Sequence, residues 1–476
     1  MEYNIYKFLI LLFSVLFVTS TTAQRSINSQ RPNIIVIMTD DLGYADVGFN
    51  GSKDIPTPNI DRIAQQGVVF TNGYTSYSVC SPSRAGFITG RYQQRFGYER
   101  NVQHRPNDPN MGLPQDEKTL AEVLKKVGYN TGIIGKWHLG NHISKHPLNR
   151  GFDYFYGHLG GGHMYFPKLL TIKDSRTASE LETYRTWILE NHTPVKTTKY
   201  LTDEFSEKAV SFIEQQKSNP FFLFVSYNAP HTPLQASEKY LQRFTHIEDK
   251  KRKTYAAMVS AVDDGVGEIL NKLKTLGLEE NTLVYFLSDN GGPEHRNASD
   301  NGPLRAGKSS IYEGGNRVPF AFRWPQKIPQ MVYRYPVSAL DIFSTVAAVA
   351  EVPIEYHKPL DGKNLIPFLT GVNKSRPHQT LFIRKFDDDL FSVIHGDYKL
   401  ITKKSNKIKE IYDLNNDLSE QNNIAKEHPE IVAKLDSLRI NWNNELIDPV
   451  FLGLIHTEMW KNRKKKTLEN NNHESK

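Results

Sequence analysis

The sequence is almost without cysteine: Cys80 is the only one in 476 residues. A lone thiol excludes an intrachain disulfide, so the fold must rest on its core. No cysteine directly follows the apolar run at the start, which argues against a lipid-anchored lipoprotein. No later segment is apolar enough to span a bilayer, which takes about 20 residues. Internal repeats and nucleic-acid-binding modules are absent as well. What remains is a chain of ordinary apolar content, 38%, long enough for one large α/β unit with a smaller domain.

The first residues carry Lys7, an apolar run over 8–18 and the small residues Thr21-Thr22-Ala23. This reads as a signal peptide over 1–23, with export to the periplasm or medium. Glu2 and Lys7 cancel, so removing the peptide leaves the net charge at +7. A basic exported protein suits a polyanionic substrate. Part of that charge lies in the run Lys461 to Lys466, and 461–476 reads as a basic, disordered tail.

Short apolar runs alternate with helical stretches, which predicts a large mixed sheet sandwiched by helices. Strands are expected over 33–38, 132–134, 221–227 and 282–287, and helices over 118–127, 203–216, 252–276 and 338–350. The region 147–198 reads as loop-rich. After about Thr370 the pattern changes to short antiparallel strands over 381–384, 391–395 and 398–402, then 411–414 and a helix over 429–441. The expected division is a catalytic domain over 24–370 and a small α+β domain over 371–460.

Cys80 opens the run Cys80-Ser81-Pro82-Ser83-Arg84-Ala85-Gly86-Phe87-Ile88-Thr89-Gly90-Arg91. A Cys-based phosphatase would need arginine at position 86, which is glycine. The run C-x-P-x-R resembles the signature of formylglycine-dependent sulfatases, members of the alkaline phosphatase superfamily. That resemblance implies that a maturation enzyme oxidises Cys80 to formylglycine, whose aldehyde hydrates to a diol. One diol oxygen would attack sulfur and displace an alcohol. The other would lose its proton and expel sulfate. A serine would instead be left as a sulfate ester that water must break. The modification thus splits nucleophilic catalysis into two easier steps.

Five further motifs appear in family order. Asp40-Asp41 after the first strand and Ser288-Asp289-Asn290-Gly291-Gly292 after the fourth resemble the metal motifs, with residue 80 completing the set. Each alone would read as a turn or helix cap. Oxygen ligands favour a hard cation, calcium before magnesium. Gly135-Lys136-Trp137-His138 resembles the segment whose lysine holds sulfate and whose histidine takes the diol proton. Ala229-Pro230-His231-Thr232-Pro233 implies a sulfate contact and general acid at His231. Leu304-Arg305-Ala306-Gly307-Lys308 implies that Lys308 bridges sulfate and leaving oxygen, while Arg84 holds formylglycine and the carboxylates. The usual polar group after Gly151-Phe152-Asp153 is missing, and His163 is a candidate replacement in contact with substrate.

The implied activity is hydrolysis of sulfate esters on a sulfated carbohydrate, with an algal polysaccharide or its oligosaccharides as the leading case. A phosphate or phosphonate ester hydrolase of the same superfamily and a non-catalytic relative that binds sulfated glycans are the alternatives.

Overall fold

A computed structural model of the protein describes residues 31–169, 178–179, 186–404 and 406–458. The expected signal peptide and basic tail lie outside the described residues. Sixteen strands are assigned among them. In chain order they are β1 (Asn33–Thr39), β2 (Val68–Phe70), β3 (Gly73–Tyr74), β4 (Asn130–Lys136), β5 (Tyr154–His158), β6 (Ile188–Glu190), β7 (Thr193–Val195), β8 (Phe221–Ser226), β9 (Thr282–Ser288), β10 (Phe320–Arg323), β11 (Met331–Tyr333), β12 (Val337–Ser338), β13 (Thr380–Lys385), β14 (Leu390–His395), β15 (Tyr398–Lys403) and β16 (Ile408–Asp413).

Ten strands form one mixed sheet in the order β11-β2-β10-β9-β1-β8-β4-β5-β6-β7. Its centre is parallel: β1 pairs with β8 and β9, and β4 pairs with β8 and β5. β1 is buried along its length. Ile34, Val36 and Met38 enter one core layer, and Ile35 and Ile37 enter the other. A strand covered on both faces has no polar alternation, which is why this stretch reads as an unbroken apolar run. Helices Pro58–Gln65, Leu201–Gln216 and Lys250–Thr275 cover one face. Helices Cys80–Thr89, Leu120–Lys126 and Leu340–Val349 cover the other. The sandwich is therefore the one that the alternating pattern predicts.

Local chemistry sets the helix ends. Asp249 accepts a bond from the Arg252 amide at 2.6 Å, so the long helix starts at Lys250, two residues before its apolar pattern. Thr119 and Glu122 form a reciprocal capping box at the start of Leu120–Lys126. The region 147–198 is less loop-like than its composition predicts. β5, β6 and β7 extend the sheet there, β6 and β7 with three residues each, too short to stand out in the sequence.

β13 to β16 form a separate antiparallel sheet in chain order. Val393, Leu400 and Ile411 on one face pack on Leu435 of the helix Pro429–Asn443. Ile383, Ile401 and Tyr412 on the other pack against Tyr77 and Ile311 of the catalytic part. The small sheet is thus bonded by apolar contact to the segments on either side of Cys80 and Lys308. Among the described residues no helix is long and apolar enough to cross a membrane.

Candidate active site

The central parallel strands end together, and the chemistry-bearing residues follow those ends. Thr39 and Ser288 are register partners, so Asp40-Asp41 and Asp289-Asn290 leave the sheet side by side. β4 ends at Lys136, with His138 just beyond, and β8 ends at Ser226, five residues before His231. Ligands gather at the carboxyl ends of strands in open α/β sheets.

Cys80 is the first residue of a helix whose ten residues are all buried. Its Sγ lies 3.4 Å from Asp40 Oδ1 and 4.0 Å from Asp41 Oδ1. Lys308 Nζ donates to Asp41 Oδ1 at 2.6 Å and lies 3.0 Å from the sulfur. Lys136 Nζ donates to Asp40 Oδ2 at 2.6 Å. Arg84 Nε donates to Asp289 Oδ2 at 2.8 Å, and Asn290 Nδ2 donates to Asp41 Oδ1 at 2.7 Å. Asp41, His138 and Ser309 hold positive φ of 68°, 59° and 70°. Non-glycine residues in that region are strained, and such strain clusters at functional sites.

The cluster is dry on most sides. Cys80 is 2% exposed, and Asp40, Asp289 and Asn290 are fully buried. Solvent meets it at Lys308 and His231, whose side chains are 14% and 13% exposed. His231 Nδ1 donates to the Thr232 carbonyl at 2.6 Å, and its Nε2 is 3.7 Å from Asp41 Oδ2. Burial lowers the pKa of both His231 and His138; at His138 it is joined by Lys136 and Arg84, which take it well below the usual range. Burial and the charge of Asp289 push the Cys80 thiol well above its ordinary pKa. A thiol so held is not a thiolate nucleophile.

The residues present fit a hard cation. Ligand atoms of Asp40, Asp41, Asp289 and Cys80 all lie within 4.8 Å of one another. Asn290 Oδ1 is buried without a hydrogen-bond partner. Burial and the neighbouring Asp40 raise the pKa of Asp289 despite Arg84, the discomfort that a cation relieves. Charge counting agrees. Three carboxylates balance Arg84, Lys136 and Lys308, so a divalent ion leaves two positive charges for an anionic substrate.

His163 stands apart from this cluster. It is 1% exposed, with Nδ1 and Nε2 each 3.0 Å from a backbone carbonyl, those of Met164 and Thr186. Its burial and the carbonyl beside each nitrogen give the expected substrate contact no support from the geometry. Sequence reasoning missed several supports. Ser226 Oγ lies 2.6 Å from both Arg84 Nη1 and the Lys136 carbonyl. Ser81 Oγ donates to the His138 carbonyl at 2.7 Å. Lys385 in β13 donates to the Ser309 carbonyl at 2.6 Å, beside Lys308. Lys399 in β15 meets Glu313 and Glu420 at 2.8 and 2.9 Å, all fully buried. Glu313 also forms an ion pair with Arg317, at 3.3 Å. A serine at a strand end carries no distinguishing pattern, and Lys385 and Lys399 lie 76 and 86 residues from Ser309 and Glu313; only Ser81, inside the cysteine run, had a local signal.

The family model described as Sulfatase matches residues 32–352, and the one described as N-sulphoglucosamine sulphohydrolase, C-terminal, matches 306–443. The N-acetylgalactosamine-6-sulfatase of Mus musculus is 35% identical over 389 residues, covering 78% of this chain and 72% of its own. The N-acetylgalactosamine-6-O-sulfatase of Bacteroides thetaiotaomicron is 30% identical over 485 residues, covering 86% and 93%. The crystal structure of Ps i-CgsB in complex with k-i-k-neocarrahexaose aligns with a TM-score of 0.84 at 38% identity, covering 90% of this chain and 96% of that one.

Proposed function

The chain belongs to the sulfatase family and is a sulfuric ester hydrolase, and from that premise we propose that it works through formylglycine at residue 80 beside a calcium ion, on sulfate esters of an algal polysaccharide or its oligosaccharides. The observation that carries this reading is the convergence of Asp40, Asp41, Asp289 and Asn290 on the first residue of a buried helix. The neocarrahexaose bound to Ps i-CgsB supports an oligosaccharide substrate, and the net charge of +7 suits a polyanion. The signal-like start supports a periplasmic or secreted enzyme, matured by a formylglycine-generating partner.

Asp40, Asp41, Asp289 and Asn290 would hold the ion. Formylglycine would supply an oxygen nucleophile that can release sulfate again, and calcium would neutralise charge on the sulfate oxygens. Arg84, held by Asp289 and Ser226, orients residue 80. Lys136 and Lys308 bring positive charge to the sulfate, where it counts most because water is excluded. His138, neutral for the reason given above, accepts the proton that must leave residue 80 before sulfate departs. His231 has Nδ1 committed to Thr232, so Nε2 is the nitrogen that must first take up a proton, with Asp41 Oδ2 3.7 Å away to favour the charged ring, and then hand it to the departing sugar oxygen.

Three outcomes follow. His231→Ala should reduce turnover of sugar sulfates by about 10²–10⁴-fold but that of activated aryl sulfates by less than about tenfold, since a good leaving group needs no acid. Equal losses on both would remove this role. EGTA, which prefers calcium to magnesium, should lower sulfate release by at least about 10²-fold, and added calcium should restore it. Restoration by magnesium alone would overturn the choice of ion. A Cβ on Gly161 would lie 2.7 Å from His138 Nε2, so Gly161→Ala must displace the ring. Turnover should fall about 10²-fold while the melting temperature changes little; unchanged turnover would place His138 outside the reaction.

The deciding test uses protein whose residue 80 is confirmed as formylglycine by mass. Sulfate release is measured across defined sulfated oligosaccharides, and a sulfate and a phosphonate ester of one phenol are compared. Faster phosphonate turnover, or glycan binding without sulfate release, would defeat the reading.

A further inference from the structure

A second cleft lies where the edge of the large sheet meets the small sheet. It has a volume of about 390 Å³, within the range of small-ligand sites. Its walls come from the turns after β2, β11 and β14 and from the segments before β13 and after β16. None of its lining residues belongs to the cluster around Cys80. Three arginines line it, Arg317, Arg334 and Arg376, against one carboxylate, Asp397.

The three arginines are not equivalent. Arg317 is tied down, with Nε on the Thr71 carbonyl at 2.8 Å and Nη1 on Glu313 at 3.3 Å. Arg376 is shared with Asp397, itself half exposed, at 2.9 Å. Arg334 is exposed and has no acidic partner among the described residues. Its loop is nevertheless fixed, since Asn72 Nδ2 donates to the Arg334 carbonyl at 2.6 Å. A basic side chain on a pinned loop, turned to solvent without a counter-charge, is available to an anion. Beside it Tyr335 is 40% exposed. The Arg376 guanidinium sits 5.1 Å from that ring's centroid, and Tyr333 meets the ring edge-on at 5.9 Å. A braced aromatic face in one cleft with two guanidinium groups combines a surface for a sugar ring with forks for a planar or tetrahedral anion.

We propose that this cleft is an accessory site for a sulfated glycan chain, in which Arg334 and Arg376 receive a sulfate group and Tyr335 supports the sugar that carries it. The proposal rests on the reading of the substrate as a sulfated polysaccharide. It adds a second point of attachment, which raises the local concentration of ester groups without touching the chemistry.

The test is electrophoresis of the full chain through gels containing dextran sulfate, with neutral dextran of equal length as reference. The variants are Arg334→Ala, Arg376→Ala, their double, Tyr335→Ala, and a double of the exposed lysines Lys250→Ala and Lys251→Ala as a control of equal charge. The arginine double should lose retention about tenfold, with melting temperature and turnover of a small aryl sulfate unchanged. Tyr335→Ala should lose retention without any change in charge. On polymer, KM should rise in the arginine double with kcat unaltered. Retention unchanged in the arginine double, or an equal loss in the lysine control, would overturn the site in favour of diffuse attraction. Equal competition by free inorganic sulfate at the concentration of polymer sulfate groups would likewise overturn a glycan and leave a simple anion site. Retention does not require turnover. A chain that releases no sulfate from any ester yet still loses retention in the arginine double would support the cleft while defeating the catalytic reading.

Discussion

Alanine in place of Cys80 should cut sulfate release by at least about 10⁴-fold, the scale of losing a nucleophile. The sulfur occupies the one point shared by Asp40, Asp41 and Lys308, with Lys308 Nζ 3.0 Å away. No neighbouring hydroxyl can take over. Ser81 Oγ already lies 2.7 Å from both Tyr98 and the His138 carbonyl. The fold should survive, because only one small buried group is removed and the helix remains covered by the core around Phe87 and Ile88. A melting shift of no more than about 2–4 °C is expected, the effect of about 1 kcal/mol on a large domain. The measurement is sulfate release beside a thermal melt. Activity within tenfold of the parent would end the mechanism, and a collapsed melt would show that the residue is structural. Cys80→Ser provides the second arm, since it keeps the volume.

The other large effect concerns stability. Lys399→Met should destabilise the protein by about 3–5 kcal/mol, because it leaves Glu313 and Glu420 buried together without their cation. Both carboxylates are fully buried, and Glu420 also accepts from the Glu313 amide at 2.7 Å. Only Arg317 and the Tyr74 hydroxyl would remain to hold Glu313. Denaturant melts of the single variant and of Lys399→Met with Glu420→Gln separate the causes. The second substitution should recover much of the loss, as neighbours in one network do not add. A midpoint unmoved in the single variant would show that the network is not held by its charges. Activity should fall along with stability, since Glu313 begins the short helix that follows the Lys308 loop.

What could be read in advance follows from physics that is local in the chain. β1, β8 and β9 stand out because central parallel strands are apolar on both faces. β4 is seven residues long but only its middle is legible, since Gly132 and Gly135 interrupt it. The glycine at 135 is required: a Cβ there would lie 1.9 Å from the Ser226 carbonyl, and φ is 112°. The outer strands of two to four residues, such as β2, β3, β10, β11 and β12, have no periodicity to detect. The residues brought together around Cys80 were legible as motifs. Their scaffolding was not, because Ser226, Lys385 and Lys399 act across long separations that leave no mark in spacing. His163 is a different case. A histidine next to a glycine run looks available in sequence, yet the ring is buried with a backbone carbonyl 3.0 Å from each nitrogen.

The burial of the Cys80 helix also imposes an order of events. Every one of its ten residues is covered in the finished protein, and the thiol is 2% exposed. An enzyme that rebuilt this side chain would have to reach it, and the completed fold keeps it covered. If residue 80 is converted as proposed, the conversion has to happen while the chain is still open. On that reading, protein that folds first should stay inert, and mixing it afterwards with the maturation enzyme should restore no sulfate release unless it is unfolded again. Specific activity in any preparation then records a race between two clocks, that of modification and that of folding.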